Sequence, residues 1–256
     1  MSAGLNAATT ALRDLHVPGR PLVLPNVWDA ASARLVQEAG FPAIATSSGA
    51  VANSLGYADN QDAPADEMFA AAARIARVAT VPVTVDAEAG YGLTPDALVG
   101  KLAGAGAAGC NLEDTDTPHR TLTETARQAE WLRSVRESAE RSGYQLVINA
   151  RVDVFLRRGD ATEADVLAEA ITRARAYLGA GVDCVYPIGM RDLAVLGEFV
   201  QAVAPAAVNA VTTPDGPAPP TLAALGVARV SMGTSIWSAN QSALAHRFRE
   251  IARRAG

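Results

Sequence analysis

The chain has 256 residues, 22 basic against 27 acidic, a net charge of −5 and 49% hydrophobic residues, which is enough to bury the core of one large α/β domain or two small ones. No basic cluster precedes the C-terminal tail, which argues against a nucleic-acid partner. No basic-then-apolar leader opens the chain and no apolar run approaches the roughly 18 residues of a membrane span, so a cytoplasmic protein without membrane attachment is expected.

A first helix is predicted from Ala3 to Leu15, ended by the breaker VPGRP. LVLPNVWDA reads as a short strand and a turn, and Asp29 is placed to cap the helix that Gly40 stops. AIATSSG, from Ala43 to Gly49, is a second short strand ending in small polar residues. A loop, AVANSLGYADNQD, follows it and carries Asp59, and an alanine-rich helix covers Ala65 to Val78. VPVTVDAEAGYG is the third strand with its turn. Thr94-Pro95-Asp96 opens the next helix, GCNLED is strand four, and TLTETARQAEWLRSVRESAERSG is helical. LVINARVD, VDCVYPIG, AAVNAV and RVSMGTS complete the strands, with helices over ATEADVLAEAITRARAYLGAG, Leu193–Val203 and LAALG. Cys110 and Cys184 lie far apart inside apolar runs and read as buried reduced thiols.

Eight strand–helix units without a break in composition predict right-handed parallel crossovers and a closed (β/α)8 TIM barrel, an α/β fold occupying residues 1–256 as a single domain. An open doubly wound sheet would want a glycine-rich turn after strand one, and PNVWDAAS does not supply it.

In VPVTVDAEAGYG an apolar β-branched run ends in two carboxylates two residues apart, which in a strand project from one face. Like charges so placed need water or a cation between them, and paired carboxylates with an open position suit a hard ion such as Mg2+, or Mn2+ in its place. In a barrel the site lies at the C-terminal strand ends. Those ends carry Thr46, Ser47, Ser48 and Gly49; Asp86 and Glu88; Asn111, Glu113 and, on the other face, Asp114; Asn149, Arg151 and Asp153; Tyr186; and Asn209. Several acids and one arginine describe a rim that holds a cation and receives an anion.

These residues carry a family resemblance. TSSG…SLGYAD, VDAEAGYG, GCNLED, INARVD and VNAV occur in the order and spacing of the isocitrate lyase/phosphoenolpyruvate mutase superfamily, over nearly the whole chain. The resemblance implies a (β/α)8 barrel binding Mg2+ and a 2-oxo acid or its enolate. It makes Asp86 the direct metal ligand and lets Asp59, Glu88 and Glu113 hold the ion through water. It gives the substrate carboxylate to Arg151, the oxo acid to the backbone around Ser47 and Ser48, and the second half of a lyase substrate to the place of Asn209. Members assemble as tetramers and often exchange a C-terminal helix, so a homo-oligomer, dimer or tetramer, is expected, although SALAHRFREIARRAG looks short for an exchange.

The chain also departs from the pattern. Glu88 stands where the best-known members have Asp. Lyase members carry Lys-Lys/Arg-Cys-Gly-His after strand four with the cysteine as proton donor; here the loop reads TDTPHRTLT, and Thr121 takes the cysteine's place. The glutamate of lyases and the histidine of mutases near Ile188 are missing, and so is the mutase Lys-Thr-Asn. His119, whose unperturbed pKa lies near neutrality, is the catalytic acid/base candidate, against the alternative of a solvated loop histidine. The reading is a Mg2+-dependent carbon–carbon lyase on a 2-oxo acid. Carbon–phosphorus chemistry on phosphonopyruvate and a non-catalytic 2-oxo acid binder are the alternatives.

Overall fold

The computed structural model describes residues 3–255; Met1, Ser2 and Gly256 of the expected domain span lie outside them. In chain order the elements are α1 (Ala3–Asp14), β1 (Leu22–Leu24), β2 (Asn26–Val27), α2 (Ala30–Glu38), β3 (Ile44–Thr46), α3 (Ser48–Leu55), α4 (Ala65–Val78), β4 (Val83–Asp86), α5 (Pro95–Ala105) and β5 (Gly109–Glu113). Then come β6 (Thr115–Asp116), β7 (Thr121–Leu122), α6 (Thr125–Arg141), β8 (Val147–Arg151), α7 (Val154–Arg157), α8 (Glu163–Gly179), β9 (Cys184–Tyr186), α9 (Leu193–Val203), β10 (Ala207–Val211), α10 (Pro219–Ala224), β11 (Arg229–Ser231) and α11 (Ser235–Ala255).

β6 and β7 pair separately, and the other nine strands form one parallel sheet that closes on itself. Its order is β1-β11-β10-β9-β8-β5-β4-β3-β2, and β1 and β2 are two halves of a single first strand separated by Pro25. Proline has no N–H to give a ladder, so the strand breaks there; β1 then pairs with β11, and β2 with β3. The result is the predicted eight-unit barrel with helices outside.

Local signals behave as their chemistry requires. Asp29 caps α2 in a reciprocal capping box with Ser32, and Thr94 caps α5 with Pro95 in its first turn. Between strands and helices, Ile44, Val85, Leu98, Leu132, Ile148, Tyr177 and Phe199 belong to one continuous buried core. At the N-terminal end of the barrel axis, Leu22, Leu24, Ala45 and Val147 pack with Leu12 of α1, which plugs the floor. Cys110 and Cys184 are free and buried, and burial pushes both thiols up to about 12.

Three local expectations need correction. Ser48–Leu55, read as strand end and loop, is the helix α3, which Ser47 caps by accepting from the Ala50 N–H at 3.4 Å. Thr121 and Leu122, read as helical, pair with Asp116 and Thr115 in an antiparallel hairpin. The short helix α7 follows β8 where none was expected. The C-terminal helix, which includes SALAHRFREIARRA, is 21 residues long and none of its residues is buried.

Candidate active site

The acids gather at the C-terminal end of the barrel, by a different local route from the one expected. β4 ends at Asp86, so Glu88 is not a strand residue; it sits in the following turn with φ +47°. A positive φ is uncommon for a residue with a side chain, and here it turns the Glu88 carboxylate inward. Glu88 is buried; its Oε2 accepts from the Gln61 N–H at 2.7 Å and its Oε1 from the Tyr91 hydroxyl at 2.9 Å. Burial, with the negative charges of Asp86 and Asp59 nearby, pushes its carboxyl up to about 7.

Asp86 is held from one side only. Its Oδ2 accepts from Ser48 Oγ at 2.8 Å and from the Ser48 N–H at 3.2 Å, at the start of α3 where the helix dipole favours an anion. Its own N–H donates to Thr46 Oγ1 at 2.9 Å. Its Oδ1 is buried and has no hydrogen-bond partner. The Ser47 N–H donates to the Val27 carbonyl at 3.1 Å, so the amides of Ser47 and Ser48, expected to grip an oxo acid, are already engaged.

Glu113 and Arg151 face each other across β5 and β8, with Arg151 Nη1 2.5 Å from Glu113 Oε2. Arg151 Nε and Nη2 donate to the two oxygens of Asp153 at 3.0 and 2.8 Å. Burial works against the charge on Arg151, but Asp153 and Glu113 hold its pKa above the ordinary value. Burial likewise drives Glu113 upward, with Arg151 opposing it. The edge of the guanidinium expected to clasp a substrate carboxylate is thus occupied by Asp153, and an incoming anion must share it.

Asp59 lies on an exposed loop but reaches back to the barrel: a Cβ added to Gly49 would come within 2.7 Å of its Oδ2. A side chain at position 49 would push the Asp59 carboxylate aside. Gln61 was not singled out in the sequence, yet it ties three segments together. Besides its bond to Glu88, its Oε1 accepts from the Tyr91 N–H at 2.6 Å and its Nε2 donates to Thr117 on the hairpin. A polar residue in a polar loop leaves no pattern to read.

Two expected residues are not brought to the acids. His119 lies on the hairpin turn with a side chain 75% exposed, and its Nδ1 is 3.0 Å from Asp116 Oδ1. Asn209 is fully buried, 3.3 Å from Ser231 Oγ. It belongs to a polar layer inside the barrel with Asn111, Asn149 and Arg229, whose Nη2 donates to Asn111 Oδ1 at 2.9 Å. A cleft of about 950 Å³ opens between the Asp59 loop and the hairpin, lined by Asp59, Gln61, Tyr91, Arg120, Arg127 and Trp131 among others. Asp86, Glu113 and Arg151 do not line it and are mostly buried.

Among the described residues no three His, Cys, Asp or Glu side chains converge closely enough to enclose an ion by themselves. The donor set does fit a hard cation taken by one carboxylate and surrounded by its own waters: Asp86 Oδ1 is an orphaned buried acceptor, and the carboxyl groups of Asp59, Glu88 and Glu113 stand close enough to interact electrostatically with it or with one another. Among the described residues no helix is long and apolar enough to cross a membrane.

The model of the phosphoenolpyruvate phosphomutase family matches residues 12–252. An uncharacterised protein of Mycobacterium tuberculosis (strain ATCC 25618 / H37Rv) is 35% identical over 94% of this chain and 88% of its own length. The 2-methylisocitrate lyase of Escherichia coli (strain K12) is 32% identical over 74% of this chain and 68% of its own. A crystal structure from Burkholderia cenocepacia J2315, provisionally described as a phosphonomutase, is 37% identical, covers 95% of this chain and 100% of that one, and superposes with a TM-score of 0.87. With the closed barrel and the acids at its C-terminal end, these matches establish that the chain belongs to the phosphoenolpyruvate mutase/isocitrate lyase superfamily of lyases and mutases.

Proposed function

We propose that this protein is a Mg2+-dependent lyase that cleaves a carbon–carbon bond in a 2-oxo or 2-hydroxy dicarboxylate. The observation that carries the reading is the buried, unpartnered Oδ1 of Asp86, grouped with three further acids and close enough to a buried arginine for their charges to interact. Asp86 would hold the ion directly, and Asp59, Glu88 and Glu113 would hold it through water. Once bound, Mg2+ supplies Lewis-acid stabilisation of the negative charge that develops as the substrate becomes an enolate. Ser48 fixes the Asp86 carboxylate, so that its free oxygen always faces the same way. Arg151, backed by Asp153, neutralises the substrate carboxylate. The hairpin and the Asp59 loop, joined through Gln61, wall the cleft and limit water.

The loop lacks the thiol acid of lyase members, and His119 is turned to solvent against Asp116. Loss of a general acid costs on the order of 10² to 10⁴ in rate, so isocitrate and 2-methylisocitrate should turn over poorly at best. A second reading, carbon–phosphorus chemistry on phosphonopyruvate, is favoured by Arg120 and Arg127, which both line the cleft and form no ion pair among the described residues.

Turnover of oxaloacetate, 2-methylisocitrate, 2,3-dimethylmalate and phosphonopyruvate, with and without Mg2+, tests the proposal. Mg2+-dependent cleavage of oxaloacetate or 2,3-dimethylmalate is expected, with 2-methylisocitrate turned over poorly. Turnover of phosphonopyruvate alone would transfer the assignment to the second reading, and oxo-acid binding without any turnover would leave a binding protein.

A further inference from the structure

Arg173 and Tyr177 lie one turn apart on α8, outside the cleft, and both point into the barrel wall. Arg173 is 5% exposed and Tyr177 fully buried. They converge on Asp114, itself fully buried, which accepts from the Tyr177 hydroxyl at 2.6 Å and from Arg173 Nη1 at 3.2 Å through the same Oδ2. An arginine, an aspartate and a tyrosine withdrawn from water are costly to bury unless the arrangement is completed by further bonds. Arg173 Nε is taken by Glu169 Oε1 on the same helix at 2.9 Å, and the remaining bonds lead to the site.

Two feet anchor the hairpin: Asp114 and Arg173 hold one, and Asp114 reaches the other through Asp153. The Asp114 carbonyl accepts from the Thr123 N–H at 2.8 Å, closing the base of the hairpin, and Arg173 Nη1 donates to the Thr123 carbonyl at 2.8 Å. On the other foot, Thr115 Oγ1 donates to Asp153 Oδ2 at 2.6 Å. Asp114 Oδ1 accepts from the Asp153 N–H at 2.8 Å, and Asp153 in turn carries the Nε and Nη2 edge of Arg151. One bonded unit therefore joins an outer helix, both ends of the hairpin and the arginine at the strand tip.

We propose that Asp114, Arg173 and Tyr177 are positioning residues that keep the hairpin wall of the cleft in fixed register with Arg151. The assignment of Arg151 as the anion-binding group rests on the function proposed above; the coupling of the hairpin to α8 does not. Substitutions on α8 should then act at a distance, loosening the hairpin and misplacing the guanidinium while touching no ligand.

The test compares Arg173→Met, Arg173→Lys and the volume-conserving Tyr177→Phe with Arg136→Met. Arg136 makes a partly buried pair with Asp183 at 2.5 Å and also donates to the Leu146 and Gly181 carbonyls, away from the hairpin, so that its variant controls for general destabilisation. Two readouts are taken on each full-length protein: the rate of tryptic cleavage after the exposed Arg120 in the hairpin without ligand, and the Kd for oxalate with Mg2+. Oxalate mimics a carboxylate beside an enolate oxygen. Arg173→Met should raise the cleavage rate and the oxalate Kd by about tenfold each, the scale of one lost charged hydrogen bond. Tyr177→Phe should do the same by about threefold, and Arg173→Lys should restore most of the loss. Arg136→Met should change neither beyond its effect on Tm. If Arg173→Met and Tyr177→Phe lower Tm like Arg136→Met while cleavage and oxalate binding stay within about twofold of wild type, the positioning role is overturned. If wild type binds no oxalate, the reading of Arg151 fails, and the cleavage rates alone decide the coupling.

Discussion

Arg151 shows how a single side chain can serve structure and ligand together. Its guanidinium already satisfies Glu113 and Asp153, so Arg151→Ala would leave two buried acids facing each other and cost about 3–5 kcal/mol of stability. Arg151→Lys is the cleaner probe: it keeps the charge but loses the planar fork, and calorimetry should show 2-oxo acid binding weakened by about 1.5–3 kcal/mol. Normal binding in that variant would remove Arg151 from the anion site. His16, at the other end of the barrel, contributes to acid stability. It is half-buried, its Nδ1 lies 2.7 Å from the Leu12 carbonyl, and its Nε2 is buried without a partner. Burial, then the charge of Arg229, lowers its pKa from 6.5 to about 4. The folded chain therefore keeps His16 neutral while the unfolded chain takes up a proton below 6.5, and stability is lost as pH falls through the window from 6.5 to about 4. Allowing for partial exposure, the loss should be about 1–2 kcal/mol. Urea unfolding of His16→Asn should show a flatter slope between about pH 7 and about pH 5 than wild type; an identical slope would place the acid sensitivity elsewhere.

Helix α1 is not one of the eight barrel helices but a plug, and its fit is tight. A Cβ on Gly109 would meet Leu12 Cδ2 and the Val147 carbonyl oxygen, each at 2.8 Å. Because one of those atoms is backbone, the clash cannot be relieved by a rotamer change, and Gly109→Ala should cost about 1–3 kcal/mol in urea unfolding. A neutral result would mean that α1 can lift from the floor. Elements of this kind mark the limit of what the chain discloses in one dimension. The eight strands and most helices were legible, because parallel strands buried on both faces leave apolar runs and their helices leave caps such as Asp29 and Thr94. Asp86, Glu113 and Arg151 were legible as strand-end charges. α3 was not, since SGAVANSL is built of small residues with little apolar period. The hairpin was not, since two-residue strands carry no alternation. Glu88 was assigned to the right place for the wrong reason, because its inward turn comes from a positive φ and not from strand pleating. The bond between Asp114 and Arg173 spans 59 residues, and nothing local in either segment announces it.

At the scale of the whole molecule the barrel closes with its C-terminal helix unused. α11 buries none of its 21 residues, and Leu244, Phe248 and Ile251 remain 40%, 63% and 54% exposed. Their spacing by four and three places them along one helix face, an arrangement that monomers rarely leave in water. We therefore expect a homo-oligomer, and light scattering should give a multiple of 26.5 kDa; a clean monomer would contradict it. The account as a whole rests on the cation that unites the acids with the arginine. Its most direct test is calorimetric titration of Mg2+ into the chelator-treated wild type and into Asp86→Ala. The account predicts saturable binding at one site per chain in the wild type and none in Asp86→Ala, and unchanged Mg2+ affinity in the variant would contradict it.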